Sequence, residues 1–174
     1  MTTISQVVDA FTLFFDAVHR PDFRKSMSFH KYSERALQPL VRSMLLGWFG
    51  HVSPEVRSKL AGSLTGFGSI DFVIGNVAVE FAVRRPMSSR AALSDVTNAT
   101  EIKKLMQYEG KSLLVLYDFS RDPYTSEDLD RYREWRSLDD DSELDGHSFN
   151  LAYFYRERFE RKLVTACIRK NIRF

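Results

Sequence analysis

Apolar residues recur at three- and four-residue intervals from the start of the chain, at Ile4, Val7, Val8, Phe11, Phe14, Phe15 and Val18. That spacing predicts an amphipathic helix from Ile4 to Val18, stopped by Pro21. Its phenylalanines either pack on the core or form a helix for a second copy or a protein partner. A second stripe, Leu37, Leu40, Val41, Met44, Leu45 and Trp48, predicts a helix from Ser33 to Trp48 with Ser33 as N-cap. Pro39 falls two turns in, where a kink is expected. A short helix from Pro54 to Leu60 and a glycine-marked turn through Gly62, Gly66 and Gly68 follow.

The period then changes from 3.6 to 2. Ser69 to Arg84 reads SIDFVIGNVAVEFAVR, with Phe72, Ile74, Val77, Val79, Phe81 and Val83 alternating on each side of Gly75-Asn76. This predicts a hairpin. A two-residue loop pairs Ile74 with Val77, Val73 with Ala78, Phe72 with Val79, and Asp71 with Glu80. The large apolar residues share one face, and a slip by one would bury an acid. On the other face Asp71 and Glu80 stand opposed, their Cβ atoms about 4.5 to 5.5 Å apart. Ala82 and Arg84 share that face with Glu80. Opposed like charges need a shared proton, an intervening base or a bridging divalent cation. A plain salt-bridge cluster with Arg84, Arg85 or Lys103 would satisfy the same pattern.

Further along, Ser94 to Tyr108 predicts a helix with Val96, Ile102, Leu105 and Met106 inward, ended by Gly110. Lys111 to Asp118, with its LLVLY run, predicts a strand buried on both faces. A polar helix from Thr125 to Ser137 directs Leu129, Tyr132 and Trp135 inward. Asp139 to Asp145 is an acidic loop. Two strands, Phe149 to Tyr155 and Lys162 to Ile168, close the chain. Helices and strands so interleaved predict a mixed α/β domain with helices on both sides of a central sheet.

Size and charge narrow the partners. The chain has 174 residues, enough for one domain with its own core. A net charge of +2 excludes a histone-like polycation without excluding nucleic acid. The single Cys167 excludes an internal disulfide and a multi-cysteine zinc site. Asp9 and Asp16 interrupt the first apolar run, so the start does not read as a signal peptide, and no segment reads as a membrane span. The expected setting is cytoplasmic, with no membrane partner.

The wider order of motifs adds a candidate chemistry. A helix bearing a glutamate is followed by Ile-Asp on a strand and Val-Ala-Val-Glu-Phe-Ala on its neighbour. A helix containing Glu-Ile-Lys-Lys-Leu-Met-Gln-Tyr comes next, then an apolar strand ending in Tyr-Asp-Phe-Ser. This order resembles the PD-(D/E)XK, or restriction-endonuclease-like, nuclease superfamily from Ser33 to Phe119. The resemblance implies a single nuclease-like domain over residues 1–174, with an α-β-β-α-β core and a mixed central sheet flanked by helices. It implies hydrolysis of DNA phosphodiester bonds with Mg²⁺ or Mn²⁺. Asp71 and Glu80 would hold the metal, the Phe81 carbonyl would join them, and Glu34 would be the helical glutamate.

The superfamily's third signature residue, a lysine two after the acid, falls on Ala82. Three explanations stand, in this order. A natural lysine has been replaced in this sequence; the lysine has moved to Lys103 or Lys104 on the next helix; or the protein is a degenerate module that binds nucleic acid or a protein partner without cutting. Arg84, Arg85, Arg90, Lys103 and Lys104 are candidates for a phosphate-binding surface. The basic tail from Arg156 to Arg173 is either a second backbone contact or an edge strand protected by charge. The acidic loop lacks the glycine and glutamate spacing of a calcium site. His19, His30, His51 and His147 have no metal-ligand spacing, and Cys167 reads as a small buried residue. A chain this small would take its targeting from a second copy or a separate partner.

Overall fold

The computed structural model describes residues 1–59, 67–86, 95–134 and 146–174. Helix α1, Ile4–His19, opens on a Thr3–Gln6 capping box and buries Val7, Val8, Phe11, Phe14, Phe15 and Val18. That stripe packs on the core, which settles its two readings in favour of the first. Pro21 starts a helix instead of only stopping one. It is the first residue of α2, Pro21–Ser26, where its fixed φ and missing N–H cost nothing.

Helix α3 spans Glu34–Phe49, with the Ser33 hydroxyl accepting from Ala36 N–H at 3.2 Å. Gly50 ends it at φ 77°, a left-handed cap that glycine adopts without a Cβ clash. Leu37, Val41 and Leu45 face inward, but Trp48 lies on the exposed side.

Among the described residues one six-stranded sheet runs in the order β1-β2-β3-β4-β5-β6. Its strands are β1 (Ser53–Lys59), β2 (Phe67–Ile74), β3 (Val77–Arg84), β4 (Lys111–Asp118), β5 (Ser148–Phe159) and β6 (Lys162–Arg173). The first three form an antiparallel meander, β4 lies parallel to both β3 and β5, and β6 returns antiparallel to β5. The helix expected from Pro54 is strand β1. Val56 and Ser58 turn inward at period two, and Pro54 sits on an edge strand, where a missing N–H is tolerated. Pairing with β2 overrides the local helical reading.

Helix α4, Asp95–Met106, and helix α5, Ser126–Asp130, cover the face opposite α1 and α3. The polar helix expected from Thr125 to Ser137 is shorter: α5 passes into a 3₁₀ turn over Arg131–Glu134, with Leu129 and Tyr132 buried. Gly110 does not cap α4. It lets the chain pass the Asn76 carbonyl, which a Cβ there would strike. Gly62, Gly66, Arg90, Trp135 and the acidic loop lie outside the described residues, as does the Val96 side chain.

Both faces of the sheet are buried. Phe72, Ile74, Val77, Val79 and Phe81 join α1, α3, Tyr117 and Phe154 in one core. Ile70, Val73, Ala78, Leu114, Leu116 and Tyr153 join α4 and α5 in the other. The face that carries Glu80 is therefore not a solvated one. No helix among the described residues is long and apolar enough to cross a membrane.

Candidate functional site

The β2–β3 hairpin has the expected register, Ile74 with Val77, Val73 with Ala78 and Phe72 with Val79. The ladder then stops: Asp71 and Glu80 are not a ladder pair. Strand β3 continues to Arg84 along β4, so its β2-facing N–H groups need other acceptors. Two carboxylates supply them. Asp71 Oδ2 accepts from Phe81 N–H at 2.9 Å, and Glu34 Oε1, from the first turn of α3, accepts from Val83 N–H at 2.9 Å. On the β2 side Lys104 Nζ donates to the Ser69 carbonyl at 2.6 Å. The sheet is parted here, and polar side chains stand where backbone partners would be.

A cavity of about 710 Å³ opens at this parting. Five acids line it: Glu34, Glu55, Asp71, Glu80 and Glu101. Its bases are Arg35, Arg84 and Lys104, and its apolar wall includes Ile102, Leu114 and Leu116. Gln38, one turn along α3 from Glu34, donates to Asp71 Oδ1 at 2.6 Å. Gln38, Glu55 and Glu101 were not singled out in the sequence. Glu101 carried a usable signal, since it lies three residues before Lys104 on a helix and therefore on the same face.

Glu80 is the most strongly buried of the cavity's acids. It is 3% exposed, and burial together with the nearby Asp71 and Glu101 charges pushes its carboxyl up to about 10. Lys104 opposes that rise without cancelling it. Its Nζ lies 2.9 Å from Glu80 Oε1 and also pairs with Glu101. The Glu80 contact is electrostatic rather than a well-aligned hydrogen bond, which leaves Oε1 buried without a hydrogen-bond partner. Asp71 is raised above the usual carboxylate range by burial, with the Phe81 N–H and Glu80 opposing the rise. Glu34 is raised for the same reason, with the Asp71 charge adding to it. Burial works against the Lys104 charge, but Glu80 and Glu101 outweigh it and raise its pKa. The repulsion between Asp71 and Glu80 is thus relieved by a retained proton and by Lys104.

The structure separates the candidate cations. Arg84 is not a free phosphate ligand. Its partner in the parallel register is Asp118, and its Nη1 donates to Asp118 Oδ2 and to the Asp122 carbonyl, each at 2.7 Å. Its guanidinium also lies 3.9 Å over the Tyr124 ring. Tyr153 donates to the same Asp118 oxygen. This buried network was not foreseen because Asp118 reads as the end of an apolar strand. Lys104 is buried among acids rather than offered to solvent. Arg85 is exposed, with Nη2 3.4 Å from the Tyr32 carbonyl, and Lys103 is half-buried and does not line the cavity. Ala82 is half-buried and lines it without a polar group.

No group of three His, Cys, Asp or Glu side chains among the described residues is arranged to hold a metal. Two carboxyls and a backbone carbonyl do not make such a group. One acid oxygen of this wall, Glu80 Oε1, is buried without a hydrogen-bond partner, with the Lys104 ammonium 2.9 Å away. The remaining candidates are structural. His19 Nδ1 and His147 Nδ1 lie 2.7 and 2.8 Å from backbone carbonyls. Cys167 is half-buried against the aromatic core, and burial pushes its thiol up. No protein family, curated protein or solved structure matches the chain.

Proposed function

We propose that this protein is a metal-dependent nuclease acting on DNA, with Lys104 in the role left empty at Ala82. The observation that carries the reading is the Lys104 ammonium, held 2.9 Å from Glu80 Oε1 by the helix that follows the hairpin. Of the three explanations for Ala82, it supports a lysine moved to the next helix. The order α3-β1-β2-β3-α4-β4, with an antiparallel meander followed by a parallel strand, also supports the reading. It differs from the expected core by the added strand β1.

Asp71 and Glu80, with the Phe81 carbonyl, would hold Mg²⁺ or Mn²⁺. Such a cation polarises phosphoryl oxygens and lowers the pKa of a bound water. The chain's own groups do the rest. Lys104 donates toward the negative charge that develops on the phosphoryl oxygens as water attacks. Gln38 fixes the Asp71 carboxylate, and Glu34 holds the β3 edge that presents the Phe81 carbonyl. Hydrolysis adds the water's OH to phosphorus, breaks one P–O ester bond and leaves a proton on the departing oxygen. An acid-rich wall would repel a phosphodiester, so binding here depends on a cation that offsets it.

A second reading is a nuclease-like module that binds without cutting. It is favoured by the fact that Asp71, Glu34 and Lys104 each already satisfy a backbone group. One experiment separates the readings. The protein and its Asp71→Asn, Lys104→Ala and Ala82→Lys variants are incubated with linear, circular and branched DNA in Mg²⁺ or Mn²⁺. Cleavage by the parent that disappears in Asp71→Asn and Lys104→Ala supports the proposal. Cleavage only in Ala82→Lys makes Ala82 an inactivating residue. DNA retained by all four proteins with no cleavage supports the binding module.

A further inference from the structure

The cations of the last hairpin fall into two groups. Those on its body are tied down: Arg169 pairs with Asp9 at 3.2 Å, Lys170 with Asp130 at 2.7 Å, and Arg156 with Asp16 at 3.8 Å. Those at its tip, Arg158, Arg161 and Lys162, have no partner among the described residues, and every residue from 157 to 163 is exposed. Beside them stand two large apolar side chains, Phe159 at 62% and Leu163 at 59% exposure. Against three free cations the 158–163 segment carries one acid, Glu160.

The tip is also an arm. Pairing of β5 with β4 ends at Tyr117–Phe154, while β5 and β6 stay paired to Phe159–Lys162. Five residues of β5 therefore project past β4, about 17 Å of two-stranded ribbon. The turn holds Glu160 at φ 45° and Arg161 at φ 66°. Left-handed backbone is strained at non-glycine residues. The β2–β3 turn places glycine at that strained position instead, with Gly75 at φ 61°.

Strands β3, β4 and β5 are parallel, so the arm rises from the sheet end where Ala82, Val83 and Arg84 line the cavity. It stands two strand spacings from β3, about 10 Å. Alternation along β5 places Phe159 with Phe149, Leu151 and Tyr153, on the face that carries the cavity. Lys162, its cross-strand partner, shares that face.

We infer that the Arg158–Leu163 arm binds unpaired DNA, a base stacking on Phe159 and phosphates meeting Lys162 beside it and Arg161 in the turn. An exposed aromatic flanked by free cations is the pairing of chemistries that single strands require. The arm would deliver a single-stranded end or branch to the cavity beside it. The choice of DNA as ligand rests on the nuclease reading; the measurement does not.

Binding of fluorescently labelled single-stranded and duplex DNA is measured in EDTA by anisotropy across a salt series. Phe159→Ala should weaken single-strand binding about tenfold and leave duplex binding nearly unchanged. Arg161→Ala/Lys162→Ala should lower the single-strand salt slope by about 1.4. Phe159→Trp should retain affinity. All three variants should melt with the parent, since none of these side chains is buried. Unchanged affinity and slope in both alanine variants overturns the inference. So does equal loss of duplex and single-strand binding in Phe159→Ala, or parent protein that binds anionic phospholipid vesicles and no DNA. DNA binding in EDTA without cleavage in Mg²⁺ would remove the nuclease and leave the arm. Cleavage with the arm variants unaltered would do the reverse.

Discussion

The two faces of the sheet are built from different materials. Under α1 and α3 the core is aromatic: Phe11, Phe15, Phe29, Phe81, Tyr117 and Phe154 pack with ring centroids 4.7 to 6.4 Å apart. Among the described residues its one buried side-chain hydrogen bond is Tyr117 donating to the Phe11 carbonyl at 2.6 Å. Under α4 and α5 the same sheet buries Glu80, Lys104, Arg84 and Asp118. Apolar packing is stabilising wherever shapes fit, whereas buried charges are stable only with their partners in place. Both faces have apolar cores, but only the second also carries buried charges whose stability depends on their partners.

Truncation should expose the difference. Phe15→Ala removes a side chain with 0% exposure that touches four other rings. It should cost about 3–5 kcal/mol in urea unfolding. Arg84→Ala strands Asp118 and should cost a similar amount, about 3–5 kcal/mol. Arg84→Ala/Asp118→Ala should recover part of that loss, whereas no second truncation should rescue Phe15→Ala. A double variant no more stable than Arg84→Ala would show the pair to be uncoupled.

Lys104 gives a smaller effect with a sharper meaning. Its neighbour Glu80 can hold a proton, so Lys104→Met does not strand a charge as Arg84→Ala does. A loss of about 1–2 kcal/mol is expected, near the worth of the lost hydrogen bond from the ammonium to the Ser69 carbonyl. Cleavage should fall far more than stability does. A stability loss as large as that of Arg84→Ala would make Lys104 a structural ion-pair residue.

Glu80 makes the charged face sensitive to pH. Its folded pKa, about 10, lies above the ordinary 4.5. Between those values the unfolded chain has lost the proton and the native state keeps it, so this group's contribution to stability falls as pH rises. Glu80→Gln mimics the protonated form. Its melting temperature should exceed the parent's by a margin that widens from pH 5 to pH 9. A cation held by Asp71 and Glu80 as proposed would have to displace that proton, so any rise in melting temperature produced by Mg²⁺ should grow with pH and vanish in Asp71→Asn. A margin that does not change with pH would place the retained proton elsewhere.

Local pattern determined much of this protein. The α1 stripe, the Ser33 cap of α3, the β2–β3 register and the doubly buried β4 follow from periods of 3.6 and 2 and from short-range turn chemistry, which act within a few residues. Asp71, Glu80 and Glu34 were legible as candidates, and the cavity gathers all three. Tertiary structure decided what those residues touch. Strand β1 exists because β2 offers it an edge. Asp71 bonds the Phe81 N–H because β2 leaves β3 one residue before the expected pair, a divergence that side-chain alternation cannot encode. The choice of Lys104 over Lys103 depends on how α4 is rotated over the sheet. Arg84 meets Asp118 across a parallel pairing 34 residues apart. Periodicity tells which face a side chain takes; only the packing of distant segments decides which partner waits there.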